Sequence, residues 1–387
     1  MKTIPLLLGL CLSCTLPAQI SFTDASWENL LAQAKAQDKP IFVDAYTQWC
    51  SPCKWMAAHI FTREDVGHFF NENFINAKLD MEHGEGILFA RAYEAGRYPT
   101  YLFISPEGDM LHRGLGRMSA LDFLALAAAA LDSTRQIGVL QQKYDAGGRS
   151  PSLLKNYALS LQAAQYGQPE AIAMEYLQSQ PDWATADNLA FLTQLCPGQM
   201  EHPVYQFLEK NRQEAYQHVA PAKVDEALKA GIRAKLYAEK INQPDSILML
   251  FQSVFPDKGE QYAIEYELQQ LRRSQDPEQR QRYIELARAF DNQYHITDPA
   301  LLNTMGWTFL TFTKEIPQLE KAREWGERAQ EISDDFAAHN LLAALCLQLG
   351  DKNTGIAHAE KAIKMAENIG LDTAITLSIL EDLRKLE

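Results

Sequence analysis

The chain has 387 residues, 47% of them apolar and 22% charged, and its net charge at pH 7 is −14. This length allows two or three domains with sizeable apolar cores, and the composition is that of an ordinary globular protein. The acidic excess is spread along the chain, which argues against a nucleic acid or an anionic membrane surface as its partner.

Residues 1–18 have the pattern of a secretory signal peptide. A basic start precedes an apolar run at 4–16 that is too short to cross a bilayer, and Ala18 supplies a small residue at the cleavage position. We therefore expect an exported, periplasmic protein that begins at Gln19 and has no transmembrane helix. The alternatives are a membrane anchor, a chance apolar start, or a lipoprotein attached through Cys14.

Removal of this segment would leave four of the six cysteines. Cys50 and Cys53 form a C-x-x-C pair, whereas Cys196 and Cys346 stand alone in apolar surroundings. So few cysteines in an exported chain of this length do not form a disulfide scaffold. We expect one working pair and two isolated thiols, buried as small apolar residues and not bonded to each other.

The elements up to residue 133 alternate between strands and helices. Apolar and β-branched runs predict strands at 19–22, 41–46, 74–81, 100–105 and 110–115. Residues with helical spacing lie between the first four of these runs and again after the last, where Ser119 can cap a helix. The order predicts an α/β domain at 19–133, with a central mixed sheet flanked by helices and an antiparallel hairpin near its end.

The segment I-F-V-D-A-Y-T-Q-W-C-S-P-C at 41–53 carries the chemistry. A buried strand ends at a polar turn, and Cys50 then opens the helix that contains Cys53. Backbone N–H groups at a helix N-terminus stabilise a thiolate, so we expect the first sulfur to be exposed there and the second to close a small disulfide ring. The pattern favours a redox dithiol over a structural disulfide.

Half of a zinc site is a further alternative for the cysteine pair. Zinc would need a second C-x-x-C or a histidine pair at ligand spacing, and the sequence has neither. The acidic loop around His83 reads as a solvated polar loop. We predict no metal and no cofactor beyond the Cys50–Cys53 disulfide.

Asp44 stands inside the apolar strand that leads to the cysteines. A carboxylate is costly to bury unless it has a partner or a task, so this position favours a functional acid. The alternative is that strand alternation points Asp44 to a solvated face.

Several separated positions resemble the thioredoxin superfamily over residues 20–132. They are W-C-S-P-C-K at 49–54, Asp44, Lys78 in A-K-L-D, Y-P-T at 98–100 and Gly116. Two departures are Ser51, where the family commonly has glycine, and Ala58, where it often has a helix-kinking proline.

The resemblance implies a role for each of these residues. Cys50 would attack a substrate disulfide, and Cys53 would resolve the mixed disulfide. Asp44 would accept the proton of Cys53, and Lys78 would modulate the charge of that acid. The resemblance also implies a cis peptide at Tyr98-Pro99, with an ordinary trans turn as the alternative. Substrate contacts would come from Trp49, Tyr98 and Pro99, with plain packing as the alternative for Trp49.

From about residue 134 to 387 helical spacing dominates, which predicts an all-α array of helix hairpins. The clearest repeat lies at 300–370, where Trp325, Ala329 and Ile332 recur 33 residues later as His358, Ala362 and Met365. A longer loop at 313–318 is expected to interrupt its first unit. This segment resembles tetratricopeptide repeats, which form solenoids that usually bind a peptide or protein. The alternative is that these helices only cover other parts of the protein.

Together these observations predict an exported thiol–disulfide oxidoreductase. Its partners would be protein thiol or disulfide substrates, a redox partner protein, and a client held by the helical domain. The rival hypothesis is a tetratricopeptide-type binding or scaffold protein whose thioredoxin-like domain is not catalytic. Pro52 and the lack of a nearby histidine favour a reducing role only weakly, so the direction of electron flow stays open.

Overall fold

A computed structural model describes residues 19–369, 371 and 373–386. The expected signal segment at 1–18, with the alternative lipid attachment at Cys14, lies outside the described residues. The chain divides into two compact units between Gly167 and Gln168.

The first unit alternates strands and helices in the predicted order. Its elements are β1 (Phe22–Thr23), α1 (Trp27–Gln37), β2 (Ile41–Tyr46), α2 (Ser51–His59), α3 (Glu64–Asn73), β3 (Ile75–Asp80), α4 (Gly86–Ala92), β4 (Thr100–Ile104), β5 (Met110–Leu115), α5 (Ala120–Leu131), α6 (Ile137–Asp145) and α7 (Pro151–Ala163). Ser119 caps α5 through its hydroxyl, as expected, because that oxygen accepts the otherwise unpaired N–H of Asp122.

The strands form one mixed sheet in the order β1-β3-β2-β4-β5. β2 is its central strand: it runs parallel to β3 and antiparallel to β4, and β4 pairs with β5 as an antiparallel hairpin. The predicted α/β class, with a mixed sheet flanked by helices, is confirmed. The cysteine helix α2 follows the carboxyl end of the central strand.

Both faces of the sheet are buried, which explains why β2 reads as a continuous apolar run. On one face Phe42 and Phe103 pack with Phe123 under α2, α3 and α5. On the other face Val43 and Leu30 belong to the core formed with α1 and α4. Side chains alternate along β2, so Asp44 shares the face of Phe42, which is the face that α2 covers.

Two helices beyond residue 133 belong to the first unit. α6 packs against β5, and α7 packs against α6. A Cβ at Gly138 would lie 1.8 Å from the backbone oxygen of Met110, so only glycine permits this close approach. The helical region that the sequence places from residue 134 therefore starts inside the compact unit that ends at Gly167.

The second unit is all helical. Its helices are α8 (Pro169–Gln178), α9 (Ala186–Gln194), α10 (Pro203–Lys210), α11 (Arg212–His218), α12 (Pro221–Ala238), α13 (Pro244–Val254), α14 (Gly259–Leu271), α15 (Pro277–Tyr294), α16 (Pro299–Phe312), α17 (Ile316–Ile332), α18 (Phe336–Leu349), α19 (Lys352–Ile369) and α20 (Ala374–Lys385). Six of these helices begin with proline, whose missing N–H costs nothing in the first turn.

From α13 onwards each helix packs against the next, and α18 also packs against α16 and α20. This pattern is compatible with a solenoid of helix hairpins. The expected longer loop at 313–318 is wrong: Pro317 lies in the first turn of α17, which therefore begins at Ile316 and leaves only a short link after α16.

Candidate redox site

Cys50 and Cys53 are joined by a disulfide at the N-terminus of α2. Cys50 is the N-cap residue, and its Sγ accepts a hydrogen bond of 3.1 Å from the backbone N–H of Cys53. Pro52 lies in the first turn, where it removes no helical hydrogen bond. The helix therefore begins at the cysteine pair and directs unpaired N–H groups towards Cys50 Sγ.

The expectation that the first sulfur is exposed is wrong for this disulfide form. Cys50 and Cys53 are each only 2% exposed. In the closed ring Cys50 Sγ lies against the first turn of α2, where it accepts the N–H of Cys53. The solvent-facing part of the site is the preceding loop, where Trp49 is 66% exposed.

Trp49 is held by the loop that follows β3. Its indole Nε1–H donates to both carboxylate oxygens of Glu82, at 3.0 and 3.1 Å, and its ring lies edge-on to Tyr98 with centroids 6.0 Å apart. Gln48 donates in the same way to Asp80 at 3.1 Å. Neither acid is among the site residues that the sequence predicts. Their position at the carboxyl end of a strand parallel to β2 was the available signal.

Tyr98-Pro99 is a cis peptide, which confirms that expectation. The carbonyl of Pro99 accepts the N–H of Gly116 at 2.8 Å, which ties the loop to the end of β5. β4 begins at Thr100, which pairs with Ala45, so Pro99 adjoins the carboxyl end of β2 from which the cysteine loop leaves. The structure brings Trp49, Tyr98 and Pro99 to one end of the sheet; their contact with substrate stays a prediction.

Asp44 is 0% exposed, which contradicts the alternative of a solvated face. Neither carboxylate oxygen has a hydrogen-bond partner among the described residues, and Lys78 Nζ lies 3.6 Å from Oδ2. Burial raises the pKa of Asp44 to about 6, although Lys78 acts in the opposite direction. An acid with such a pKa can take up or release a proton near neutral pH.

Lys78 is the cross-strand partner of Asp44 on β3. Its side chain is one-third exposed, and its Nζ lies 4.7 Å from the centre of the Tyr46 ring. This cation is close enough to favour the charged form of Asp44 but too far for a hydrogen bond. Its modulating role stays a prediction.

Cys53 lies on the inner face of α2. Met56 and Ile60, three and seven residues later, pack in the core with Phe42 and Tyr101. Helical spacing places Cys53 on the same side of the helix as these two residues. The second cysteine and Asp44 therefore lie between the same helix and the same face of the sheet, as a proton transfer between them requires.

The other two cysteines of the described chain, Cys196 and Cys346, are free thiols, as expected. Burial raises the pKa of Cys196 to about 12 and that of Cys346 to about 11. Such thiols are protonated at neutral pH and are poor nucleophiles.

Within residues 19–369, 371 and 373–386, no three histidine, cysteine or acidic side chains are grouped so that they could hold a metal ion. A search of the same residues finds no helix with the length and apolarity needed to cross a membrane.

Comparisons with known proteins agree with this geometry. A sequence model of the thioredoxin-like family matches residues 22–106. Chloroplastic thioredoxin Y of Oryza sativa subsp. japonica is 28% identical over 110 residues, which are 28% of this chain and 60% of that protein. The thiol:disulfide interchange protein DsbD of Salmonella typhimurium is 28% identical over 118 residues, 29% of this chain and 21% of that protein.

Among solved structures, a putative disulphide-isomerase from Bacteroides thetaiotaomicron is 36% identical. The match covers 30% of this chain and 96% of that one, with a TM-score of 0.29. The chain spans less than two thirds of the length of the curated relatives named above. Through residues 22–106 the chain therefore belongs to the thioredoxin-like family, with the C-x-x-C disulfide that thiol–disulfide oxidoreductases of this fold use.

Proposed function

We propose that this chain is an exported thiol–disulfide oxidoreductase that exchanges Cys50–Cys53 with protein substrates, and that its helical unit recruits a client or partner. One observation carries the proposal: a disulfide at the start of α2 lies above a sheet face that holds a buried carboxyl group without a hydrogen bond, Asp44. A structural disulfide has no need of such an acid, whereas a buried thiol that must ionise does.

The reaction has two steps in the reducing direction. The Cys50 thiolate attacks one sulfur of a substrate cystine; a mixed disulfide forms, the cystine bond breaks, and the released thiolate takes a proton from solvent. Cys53 then gives its proton to Asp44 and attacks Cys50 Sγ. The Cys50–Cys53 bond forms, the mixed disulfide breaks, and the second substrate thiolate leaves with the electron pair. The same steps in reverse oxidise a substrate dithiol.

The substrate would approach over the exposed loop. Trp49 and Tyr98 offer an aromatic surface, and backbone beside Pro99 would pair with an extended segment of the substrate, as the resemblance to thioredoxins implies. The names of the similar proteins, a thiol:disulfide interchange protein and a putative disulphide-isomerase, support exchange with protein disulfides. The equilibrium redox potential of the Cys50–Cys53 pair would decide between reductase, oxidase and isomerase.

The test is reduction of insulin by the chain from Gln19 onwards, with dithiothreitol as the electron source. We expect the wild-type protein to accelerate precipitation of the insulin B chain and Cys50→Ser to be inactive, because the thiol that attacks the substrate is lost. Cys346→Ser is the matched control and should keep full activity, since that thiol is buried and protonated. Equal rates for wild type and Cys50→Ser, together with tight peptide binding, would instead support the scaffold hypothesis.

Export is the second part of the proposal and rests on the pattern at 1–18. Expression of the whole chain in a Gram-negative host, followed by mass spectrometry of the periplasmic and membrane fractions, should give a mature N-terminus at Gln19. A product carrying lipid at Cys14 would support the lipoprotein alternative. A chain that stays in the cytoplasm with Met1 intact would contradict export.

The helical unit supplies the third part. Its helices pack consecutively from α13 to α20, and arrays of this kind present long surfaces to a partner. Recruitment by this unit predicts that residues 168–387 become protected from hydrogen exchange when a client is added, whereas a purely covering role predicts no change.

A further inference from the structure

Three side chains form a row across the centre of the sheet. Asp44 on β2 pairs in register with Lys78 on β3 and with Tyr101 on β4. Paired residues of neighbouring strands point to the same face, with Cβ atoms about 5 Å apart in the antiparallel pair. The row lies on the face that α2 covers, with Tyr101 on the side of Asp44 opposite Lys78.

Tyr101 is 0% exposed, and its hydroxyl has no hydrogen-bond partner in the described part of the chain. Its ring packs among aromatic side chains, with centroids 4.9 Å from Phe123 and 6.2 Å from Phe42. A phenylalanine would fill this site without the cost of burying a hydroxyl, which is about 1–3 kcal/mol when no hydrogen bond is made. Packing alone therefore does not account for a tyrosine here.

Asp44, the neighbouring acid, also lacks hydrogen bonds, since neither of its carboxylate oxygens has a donor. A phenol is a good donor to a carboxylate and, after that carboxylate is protonated, it can become the acceptor. The two groups act on each other in the disulfide form, because burial and then the charge of Asp44 raise the pKa of Tyr101. The Tyr101 hydroxyl and the Asp44 carboxylate, both buried without a hydrogen bond, thus occupy cross-strand positions and are complementary as donor and acceptor.

We propose that Tyr101 is a positioning residue for disulfide exchange: in the reduced protein its hydroxyl donates a hydrogen bond, directly or through one water, to the ionised Asp44 carboxylate. This inference rests on the proposed function. The hydrogen bond holds Asp44 on the side of Cys53 and keeps it ionised until the Cys53 proton arrives. The titratable or charged groups around Asp44 include Lys78 on β3, Tyr101 on β4 and Cys53 on the inner face of α2, and the charge of Asp44 also acts on Tyr46 of β2.

The step it assists is the second one of the exchange. Cys53–SH transfers its proton to the Asp44 carboxylate, and the resulting thiolate forms the Cys50–Cys53 bond as the bond to the substrate sulfur breaks. The substrate cystine is the oxidant, and Tyr101 neither gains nor loses a proton in the net reaction.

The direct test is the titration of Asp44 in the reduced full chain, followed by NMR of ¹³C-labelled aspartate carboxyls and assigned with Asp44→Asn. Tyr101→Phe removes only the donor, so the Asp44 midpoint should rise by about one pH unit. Tyr93→Phe is the matched control. Tyr93 lies in the core on the opposite face, and its hydroxyl donates to Gly108 O at 2.7 Å, so its loss should leave the Asp44 midpoint unchanged.

The kinetic test is the pH profile of closure of a mixed disulfide between Cys50 and 5-thio-2-nitrobenzoate, read from release of the coloured thiol. Tyr101→Phe should move this profile upward by the same shift and slow closure at pH 6 by several-fold. An unchanged Asp44 midpoint in Tyr101→Phe, with activity intact, would overturn the inference. A shifted midpoint in a chain that reduces no protein disulfide would refute the proposed function and leave the Tyr101–Asp44 hydrogen bond established.

Discussion

Each unit of the molecule contains a buried aspartate, and the two carboxylates differ in their hydrogen bonds and ion pairs. Asp291 on α15 is 3% exposed and accepts hydrogen bonds from Trp325 Nε1 at 2.8 Å and Arg328 Nη1 at 2.6 Å, with Lys321 Nζ at 3.1 Å. Asp44 in the first unit is equally buried but has no hydrogen bond, and its single cation is 3.6 Å away.

The acidities follow from these surroundings. Burial alone would raise the pKa of Asp291, but the hydrogen bonds from Arg328, Trp325 and Lys321 outweigh it and lower the pKa to about 2. For Asp44 burial prevails and raises the pKa to about 6. A carboxylate whose oxygens all accept hydrogen bonds holds helices together and does not titrate at neutral pH. A buried carboxylate without hydrogen bonds is available for proton transfer. The surroundings of Asp291 therefore suit a structural role, whereas those of Asp44 suit the proposed proton transfer.

The largest expected effect comes from replacing Asp291, the aspartate whose two oxygens both accept hydrogen bonds. Asp291→Ala should lower the free energy of unfolding of the helical unit by about 3–5 kcal/mol, because it leaves the Arg328 guanidinium partly buried without its carboxylate partner and the buried Trp325 indole N–H without its acceptor. Urea unfolding, read by hydrogen exchange of peptides from 168–387, measures this loss. Asp382→Ala is the control: its pair with Lys385 is exposed and should contribute less than about 1 kcal/mol. Similar losses in the two variants would remove the distinction.

The matching change in the first unit should lower a reaction rate and should not lower the free energy of unfolding at pH 7. Asp44→Asn removes the proton acceptor and should slow closure of the Cys50 mixed disulfide about 100-fold at pH 7, the usual contribution of a general base. Stopped-flow release of a coloured thiol from that mixed disulfide measures the step. Asp65→Asn, at an acid of α3 paired with Arg63, should close at the wild-type rate. A rate for Asp44→Asn within two-fold of wild type would exclude Asp44 as the acceptor.

The two acids should also give opposite dependences of stability on pH. The folded pKa of Asp44 lies above its ordinary value of 3.8, so its stabilising contribution is present below pH 3.8 and is lost as pH rises through about 6, by about 3 kcal/mol. The folded pKa of Asp291 lies below 3.8, so its contribution is present above pH 3.8 and is lost as pH falls through about 2, by about 2 kcal/mol.

Differences in the free energy of unfolding between wild type and each Asp→Asn variant, measured from pH 2 to pH 8, isolate the two contributions. The wild-type advantage over Asp44→Asn should fall between pH 4 and pH 7. The advantage over Asp291→Asn should instead fall between pH 4 and pH 2. Slopes of the same sign would contradict the opposite pKa directions.

The smallest effect concerns the cation beside Asp44. Lys78→Met removes a cation that lowers the pKa of Asp44, so that pKa should rise further and closure at pH 6 should slow by about 3-fold. The pH profile of closure measures the shift. Lys35→Met, at an exposed position on α1, is the control and should leave the profile in place. A downward shift in Lys78→Met would show that Lys78 does not favour ionised Asp44.

Much of the first unit could be predicted because its signals are local. The continuous apolar run at β2, the proline before β4 and the serine cap of α5 each act within a few residues, and their elements lie at or near the predicted positions. The cysteine pair and the cis peptide at Pro99 are local in the same sense. In the helical unit the short link before α17 was missed because Pro317 was read as part of a loop rather than as a helix start.

The sequence by itself identified the candidate residues of the redox site: two cysteines at a helix start, an acid in an apolar strand and a proline before the next strand. Only the tertiary structure decided their surroundings. It buried the Cys50 sulfur, brought Glu82 to Trp49, and placed Tyr101 beside an Asp44 left without a hydrogen bond. Strand register and the closing of α2 over the sheet create these relations between residues far apart in the chain, and they set the pKa of Asp44.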